Sequence, residues 1–429
     1  MIFVSRNDGE TWSNVTPNAL PPGGRVQNIE PSPHRAGTAY VAIYRFLLGD
    51  FQPYIYRTDD FGKTWTRLTD GSNGIARDEP TRVVREDPDR PNLLYAGTEF
   101  GIYVSFDNGA RWQSFQMNLP ATPVTDIKVA HQDLVISTQG RSFWILDNLT
   151  PLHELTSQVA AAKAYLFPTR DAVRTPGRGG FGRASTIEYP LPGAAIDYYL
   201  ATAPSDDIRM EILDGAGRPV RTFSSAAADE RTPAAPSAEA PPSEEGEGGF
   251  RTRRGPTRLD KTPGMHRFTW DLRYPGPWIS DARPEGPQGP VAVPGKYSVR
   301  LTAGSWTATQ PLTVTEDPRV TKEGVTAADL REQFEHNMKV RDLVSDMNRA
   351  VARLRAALAK ADGNQKAKLD ELASRLITPS IRYSQPALQT HITYLNTMTN
   401  NSDQKVGRDA LDRYTALRKQ LDALIAELP

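Results

Sequence analysis

Ser5-Arg6-Asn7-Asp8-Gly9-Glu10-Thr11-Trp12, Thr58-Asp59-Asp60-Phe61-Gly62-Lys63-Thr64-Trp65 and Ser105-Phe106-Asp107-Asn108-Gly109-Ala110-Arg111-Trp112 share the pattern S/T-x-D/N-x-G-x-x-W. The copies recur about every fifty residues, a period that belongs to repeat architectures. Each reads as a hairpin turn. The hydroxyls of Ser5, Thr58 and Ser105 and the side chains of Asn7, Asp60 and Asp107 can accept bonds from turn N–H groups. Gly9, Gly62 and Gly109 supply positive φ, and Trp12, Trp65 and Trp112 supply an apolar anchor.

Alternating strands flank the turns. Tyr54-Ile55-Tyr56-Arg57 runs into the second and Gly101-Ile102-Tyr103-Val104 into the third. Further pairs lie upstream, Val26 to Ile29 with Ala39 to Tyr44, and Thr81 to Arg85 with Leu93 to Ala96. About four short strands per repeat is the arithmetic of a propeller blade. A last repeat, Val124 to Val129, Asp133 to Thr138 and Phe143 to Asp147, lacks the turn motif.

At these residues the chain resembles the Asp-box, or BNR-repeat, β-propellers, a group that includes sialidases, xyloglucanase-type glycoside hydrolases and sortilin-type receptors. The run from Asp87-Pro88 through Leu94-Tyr95-Ala96-Gly97-Thr98-Glu99-Phe100-Gly101 to Trp112, with Gly140-Arg141-Ser142-Phe143-Trp144, is similar to bacterial proteins labelled glycosyl hydrolase or sortilin-like. The resemblance implies an exported protein, secreted or periplasmic, that binds a glycan or peptide. It also implies that the box turns are structural and lie away from the ligand face.

Three such blades do not close a ring, and open strand edges invite association. Met1-Ile2-Phe3-Val4-Ser5 already reads as a strand, with no signal peptide before it. The expectation is therefore the C-terminal portion of a longer protein, or failing that, self-association through the open propeller edges.

Composition narrows the chemistry. The 429 residues carry 51 Lys plus Arg and 51 Asp plus Glu, so a whole-chain electrostatic grip on nucleic acid is not expected. No run of apolar residues is long enough to span a membrane. The absence of cysteine removes disulfides, thiolate metal sites and the cysteine-rich module of sortilin-type receptors. Thirty-two glycines and 35 prolines indicate turn-rich β structure with some linker.

Beyond residue 155 the pattern changes. Ile208 to Leu213 and Pro219 to Phe223 read as a hairpin, and Met265 to Arg273, Gly295 to Ala303 and Ser305 to Thr315 as further strands. Arg267-Phe268-Thr269-Trp270-Asp271 and Val293-Pro294-Gly295-Lys296-Tyr297 resemble the immunoglobulin-like sandwiches that follow bacterial propellers. The sandwich is expected over 160–320, with a disordered insertion over 224–263 that is rich in Ala, Pro, Ser and charge. From Thr326 a helical bundle is expected over 325–429, opened by Thr326 with Asp329 as N-cap and N3 partner. The fold class is mainly β with an α C-terminus: partial propeller over 1–155, sandwich, bundle.

Six histidines are scattered without paired spacing, so no metal site and no cofactor is expected. Gly177-Arg178-Gly179-Gly180-Phe181-Gly182 matches a dinucleotide fingerprint by letters only, since no helical pattern follows it. Glycoside hydrolysis needs two carboxyl groups across a cleft, and Asp78, Glu79 and Glu99 are the loop acids that offer themselves. Xyloglucanase-type aspartates come from widely separated blades, including one this chain lacks, so no catalytic residue of the family is carried over. Tyr44, Arg45, Phe46, Phe51 and Tyr54 surround a Gly-containing loop suited to stacking on a sugar or gripping a peptide, and Arg141 is a further candidate. The leading reading is a ligand-binding sortilin-like propeller protein, and the alternative is part of a glycoside hydrolase.

Overall fold

A computed structural model describes residues 1–175, 191–226, 258–280, 288–379, 381 and 383–429. The fold is mainly β with a C-terminal helical part, in two compact units, Met1–Leu155 and Thr156–Pro429. The glycine run at 177–182 lies outside the described residues.

The first unit is a succession of antiparallel meanders. Strands β1 (Phe3–Val4) and β2 (Ser13–Asn14) form a two-stranded sheet. β3 (Arg25–Pro31), β4 (Ala39–Tyr44), β5 (Tyr54–Thr58) and β6 (Thr66–Arg67) form a four-stranded one. β7 (Thr81–Glu86), β8 (Leu94–Thr98), β9 (Ile102–Ser105) and β10 (Gln113–Ser114) repeat it, and β11 (Val124–Ala130), β12 (Asp133–Thr138) and β13 (Phe143–Leu146) make a three-stranded sheet. A short helix, α1 (Thr150–Glu154), closes the unit.

Strand parity stacks these sheets face to face, as in part of a propeller. On β4, Tyr40 and Ala42 pack forward with Ile55, Leu68, Leu94, Ala96 and Trp112. Val41 and Ile43 pack backward with Ile2, Tyr54, Tyr56 and Trp65. Central strands are thus apolar on both faces, and each inter-sheet layer is a core of its own.

The three turns share one hydrogen-bond plan. Gly9, Gly62 and Gly109 donate their N–H groups to the Ser5, Thr58 and Ser105 hydroxyls at 2.8, 2.8 and 2.9 Å. Thr11, Thr64 and Arg111 N–H groups bond the side chains of Asn7, Asp60 and Asp107 at 3.0, 2.9 and 2.9 Å. Those bonds, led by the Thr64 N–H, hold the Asp60 carboxyl down at about 2. Two successive left-handed residues turn the chain in each copy, Asp8-Gly9, Phe61-Gly62 and Asn108-Gly109. That is the backbone a tight hairpin with right-twisted strands requires.

The same turns join neighbouring sheets. The Trp65 indole donates to the Val15 carbonyl at 2.6 Å and the Trp112 indole to the Leu68 carbonyl at 3.0 Å. Val15 and Leu68 each stand three residues after the previous repeat's tryptophan. The side chains of these residues also press on the next turn glycine: a Cβ on Gly62 would lie 2.6 Å from Val15, and one on Gly109 2.7 Å from Leu68. A single residue therefore receives both the indole N–H and the glycine.

In the second unit, after α2 (Ser157–Ala160), two sheets pack face to face. β14 (Ala164–Leu166) and β15 (Ala172–Arg174) precede β16 (Ala194–Leu200), β17 (Arg209–Leu213), β18 (Pro219–Ser224), β19 (Gly264–Trp270), β20 (Gly295–Ala303) and β21 (Trp306–Glu316). The orders are β14-β16-β19 and β15-β21-β20-β17-β18. Leu166, Ile196, Tyr198, Phe268 and Trp270 of one sheet meet Met210, Ile212, Val299, Leu301 and Leu312 of the other.

The insertion expected over 224–263 is ordered at both ends. Leu259 is buried in this core and its N–H bonds the Ser224 carbonyl at 3.1 Å, while Arg258 Nε bonds the Ser225 carbonyl at 2.5 Å. The apolar Leu259 fills a place that a composition average over 40 residues conceals. Residues 227–257 lie outside the described residues.

Helices α3 (Pro318–Lys322), α4 (Ala327–Leu358), α5 (Gly363–Leu376), α6 (Leu388–Asn400) and α7 (Arg408–Glu427) follow. Thr326 and Asp329 form a complete capping box on α4. Val340, Leu343, Met347, Val351 and Leu354 of α4 pack with Leu372, Ile392, Leu417 and Leu421.

The glycine contacts yield a graded expectation. Gly62→Ala meets both a left-handed backbone at φ 85° and the Val15 side chain, whereas Gly9→Ala meets only strain at φ 92°, with no neighbour nearer than 3.9 Å. Left-handed strain alone costs about 1–2 kcal/mol, so urea unfolding should place Gly9→Ala near that value and Gly62→Ala clearly beyond it. Equal losses would mean that the glycine contact with Val15 carries no weight.

Candidate functional site

Because every sheet in the first unit is a meander, its connections alternate between two ends. The three box turns occupy one end together with the β3–β4, β7–β8 and β11–β12 turns. The opposite end collects residues 45–53, 68–80, 99–101, 115–123 and 139–142. Tyr44, Arg45, Phe46, Phe51, Tyr54, Asp78, Glu79, Glu99 and Arg141 all sit at this loop end.

An aromatic ledge forms there. Residues Phe46–Leu48 make one 3-10 turn, ended by Gly49 at φ 73°, which leaves Phe46, Leu47 and Leu48 exposed. The Tyr44 and Phe46 rings stack at 5.8 Å, and Phe51 meets Phe46 edge-on at 5.1 Å. Phe51 and Phe100 are exposed as well. The Arg82 guanidinium lies 4.9 Å over the Tyr44 ring and pairs with Glu99 at 2.5 Å. Burial and the bond to Glu99 push the Tyr44 hydroxyl up to about 12, so it stays protonated near neutrality.

The carboxylates beside the ledge are engaged. Glu79 accepts from the Tyr103 hydroxyl at 2.7 Å and from Thr98 Oγ1 at 3.3 Å. The Glu99 N–H donates to the Pro80 carbonyl at 3.1 Å, which sets the Glu99 loop beside the Asp78-Glu79 loop. Asp78 is exposed. Asp50 accepts from Arg45 Nε at 2.7 Å and from the Tyr54 hydroxyl at 2.8 Å. Burial alone would raise the Asp50 carboxyl, but these bonds hold it below the usual range.

Two of the expected ligand contacts, Tyr54 and Arg45, are turned inward. Tyr54 is buried, its ring parallel to Tyr56 at 6.5 Å and covered by the Arg67 guanidinium at 4.4 Å, because strand parity turns it toward the preceding sheet. Arg45 is tied to Asp50 and to the carbonyls of Pro21 and Pro22, so it braces the loop from within. Arg141 stands exposed on the last sheet, its N–H bonded to Thr138 Oγ1 at 3.1 Å. Arg82, Asp50, Leu47, Leu48 and Phe100 were not anticipated in the sequence. The apolar Phe46-Leu47-Leu48 run was the signal for two of them.

The opposite end holds a network that also went unread. Asp87 is fully buried. Its Oδ1 accepts the N–H groups of Asp89 and Arg90 at 2.8 and 3.0 Å, and its Oδ2 accepts from the Tyr95 hydroxyl and His153 Nε2, both at 2.9 Å. The ring of His34 bonds the Asp87 carbonyl at 2.7 Å. Asp87, Asp89 and His153 offer ligand atoms within 4.8 Å of one another, a spacing a metal ion could use. His153 gives its Nε2 proton to Asp87 and both Asp87 oxygens are occupied, so the arrangement works as an anchor that pins α1 to the β7–β8 turn.

No family model matches the chain, and no curated protein matches it. Solved structures align with parts of it. An ancestral GH74 enzyme aligns at a TM-score of 0.23 and 18% identity over 28% of this chain and 14% of its own. A GH74 enzyme of Niastella koreensis aligns at 0.24 and 15% identity over 41% and 28%. The GH74 xyloglucanase of Xanthomonas campestris aligns at 0.20 and 17% identity over 41% and 27%. The chain thus spans less than a third of each. At TM-scores this low the likeness is local and decides neither fold nor activity. No helix among the described residues is long and apolar enough to cross a membrane.

Burial would raise the Asp87 carboxyl, yet the bonds from His153, the Asp89 N–H and Tyr95 outweigh it and hold the group below its ordinary value. A depressed carboxyl adds stability that is complete above its unfolded value near 3.9 and is lost as pH falls through the folded value. Asp87→Ala should cost roughly 3–5 kcal/mol in urea unfolding at pH 7, because it strands buried donors. That loss should shrink as pH drops below about 4. A loss unchanged by pH would mean the carboxylate charge is not what anchors α1.

Proposed function

We propose that the first unit is a segment of an Asp-box β-propeller whose loop end binds a glycan chain, in an exported protein of the sortilin-like class. The second unit is read as an immunoglobulin-like sandwich, 160–320, followed by a helical bundle, 325–429. The observation that carries the ligand reading is the exposed ledge of Phe46, Phe51 and Phe100 beside the Arg82–Glu99 pair. Sugar rings offer apolar faces to aromatic side chains and hydroxyl groups to a neighbouring ion pair. The engagement of Glu79 and Glu99 with protein partners favours binding over turnover.

A second reading, glycoside hydrolysis, draws on one contact, the Glu99 N–H on Pro80, which brings Glu79 and Glu99 onto adjacent loops. An acid and a base across a glycosidic bond would be needed from such a pair.

Affinity electrophoresis in gels containing xyloglucan, mixed-linkage glucan or mannan separates the readings. Retardation by one polymer should fall about fivefold in Phe46→Ala or Phe51→Ala, the worth of one aromatic stacking contact near 1 kcal/mol. Glu79→Gln should leave it intact. Released oligosaccharide that disappears in Glu79→Gln or Glu99→Gln would replace the binding reading with the enzymatic one. Retardation insensitive to both phenylalanines would remove the ledge from the site.

A further inference from the structure

The second, third and fourth sheets of the first unit carry the same irregularity at the same place. In β3, β7 and β11, the first strand of each sheet, the pairing skips one residue: Gln27 between Val26 and Asn28, Arg82 between Thr81 and Val83, and Thr125 between Val124 and Asp126. Each skip falls within the opening residues of its strand, at the loop end. These are β-bulges, which bend a strand, re-aim a side chain and recur beside binding sites.

The three strands also lie side by side. The Val84 N–H donates to Asn28 Oδ1 at 2.9 Å, joining β7 to β3. Arg85 of β7 reaches Glu30 on one side, and Asp126 and the Ile127 carbonyl on the other. The bulge residues therefore stand in a row across three sheets. The row starts beside the aromatic ledge, since Tyr44 pairs across from Arg25, two residues before Gln27, and Arg82 lies over the Tyr44 ring. It ends beside Arg141, in a turn tied to the start of β11 by the Gln139 N–H on the Pro123 carbonyl at 2.9 Å.

All three residues are polar and half-buried. The Gln27 amide oxygen has no hydrogen-bond partner among the described residues, and the terminal torsion of a glutamine is soft enough to turn the amide toward a ligand. Thr125 Oγ1 meets the Ser137 hydroxyl at 2.8 Å and carbonyl at 3.2 Å, which leaves it a lone pair. Arg82 is the one charged member, and Glu99 answers its charge. The row thus offers donors and acceptors without net charge. A bulge that served only the shape of its strand gives no reason for an amide left unpartnered.

We infer that Gln27, Arg82 and Thr125 are the hydroxyl-reading groups of the glycan site, and that the glycan is an uncharged chain running across the sheets from the ledge toward Arg141. The inference rests on the glycan reading above and adds the direction of the chain, its charge class and the residues that read it.

Isothermal titration calorimetry tests it, with oligosaccharides of increasing length cut from the neutral polymer that the wild type holds. Affinity should climb with length. Gln27→Leu and Thr125→Val should each lose about fivefold on the longest chains, the worth of one hydrogen bond, with unchanged thermal melts. The loss should set in at a shorter length for Gln27→Leu than for Thr125→Val, and Thr125→Ser should restore binding. Gln27→Ala and Thr125→Ala replace either variant that melts early. Polygalacturonate should not compete. Full affinity in both variants, losses that set in at the same length, or displacement by polygalacturonate overturns the inference, while a loss in Phe46→Ala in the same titration leaves the ledge standing without the row. A wild type that holds no glycan overturns both.

Discussion

The first unit depends on one joint between consecutive sheets: an indole N–H on a carbonyl three residues past the previous tryptophan, with a glycine pressed on the same residue's side chain. Hydrogen bonds inside each turn fix where the tryptophan starts, so the geometry of the joint is set within the turn itself. The glycine carries a double demand, since it must be left-handed and must also admit Val15 or Leu68. Turn chemistry and inter-sheet packing are therefore coupled in four or five residues, and the central strands need only supply apolar residues on both faces.

That division leaves the other end of the stack free to vary. Joints at the box end tolerate little change in length, whereas the loop end holds connections as different as residues 45–53 and 99–101. Three of its acids are spent on bracing: Asp50 holds Arg45 and Tyr54, Glu79 holds Tyr103, and Glu99 holds Arg82. The aromatic groups left over are the ones that the proposed glycan would meet. Rigid support under exposed rings is what stacking recognition calls for, because little ordering entropy is then lost on binding.

The parts legible in the sequence were the local ones. The turns could be read because hydroxyl, carboxylate, glycine and indole fall within eight residues, and the capping box of α4 because Thr326 and Asp329 are three apart. Strand parity was legible as alternation, but which neighbour each parity would face was not. Tyr54 looked like part of a ligand loop for that reason, although it faces the preceding sheet. Pairings such as Asp87 with His153 or Glu79 with Tyr103 join residues that only the stacking of strands brings together. Leu259 was hidden by its neighbours, since one buried leucine does not alter the average of a polar stretch.

The second unit solves a related problem with charge. Arg174 on β15 and Asp403 in the α6–α7 connection form a buried ion pair, with Arg174 Nε also on the Ala292 carbonyl at 2.9 Å. Burial raises the Asp403 carboxyl and lowers the Arg174 guanidinium, which is the cost of removing both from water. A well-packed apolar pair would suit stability as well or better. What the ions add is location. β15 is a three-residue strand whose ladder is its parallel pairing to β21, too short to fix its position by backbone bonds alone. Gln333 and Asn337 of α4 hold the Thr399 carbonyl at 2.8 and 2.9 Å, four residues before Asp403. The guanidinium thus meets a carboxylate whose own loop is already tethered to the longest helix, and a slip of either partner would leave a charge buried alone.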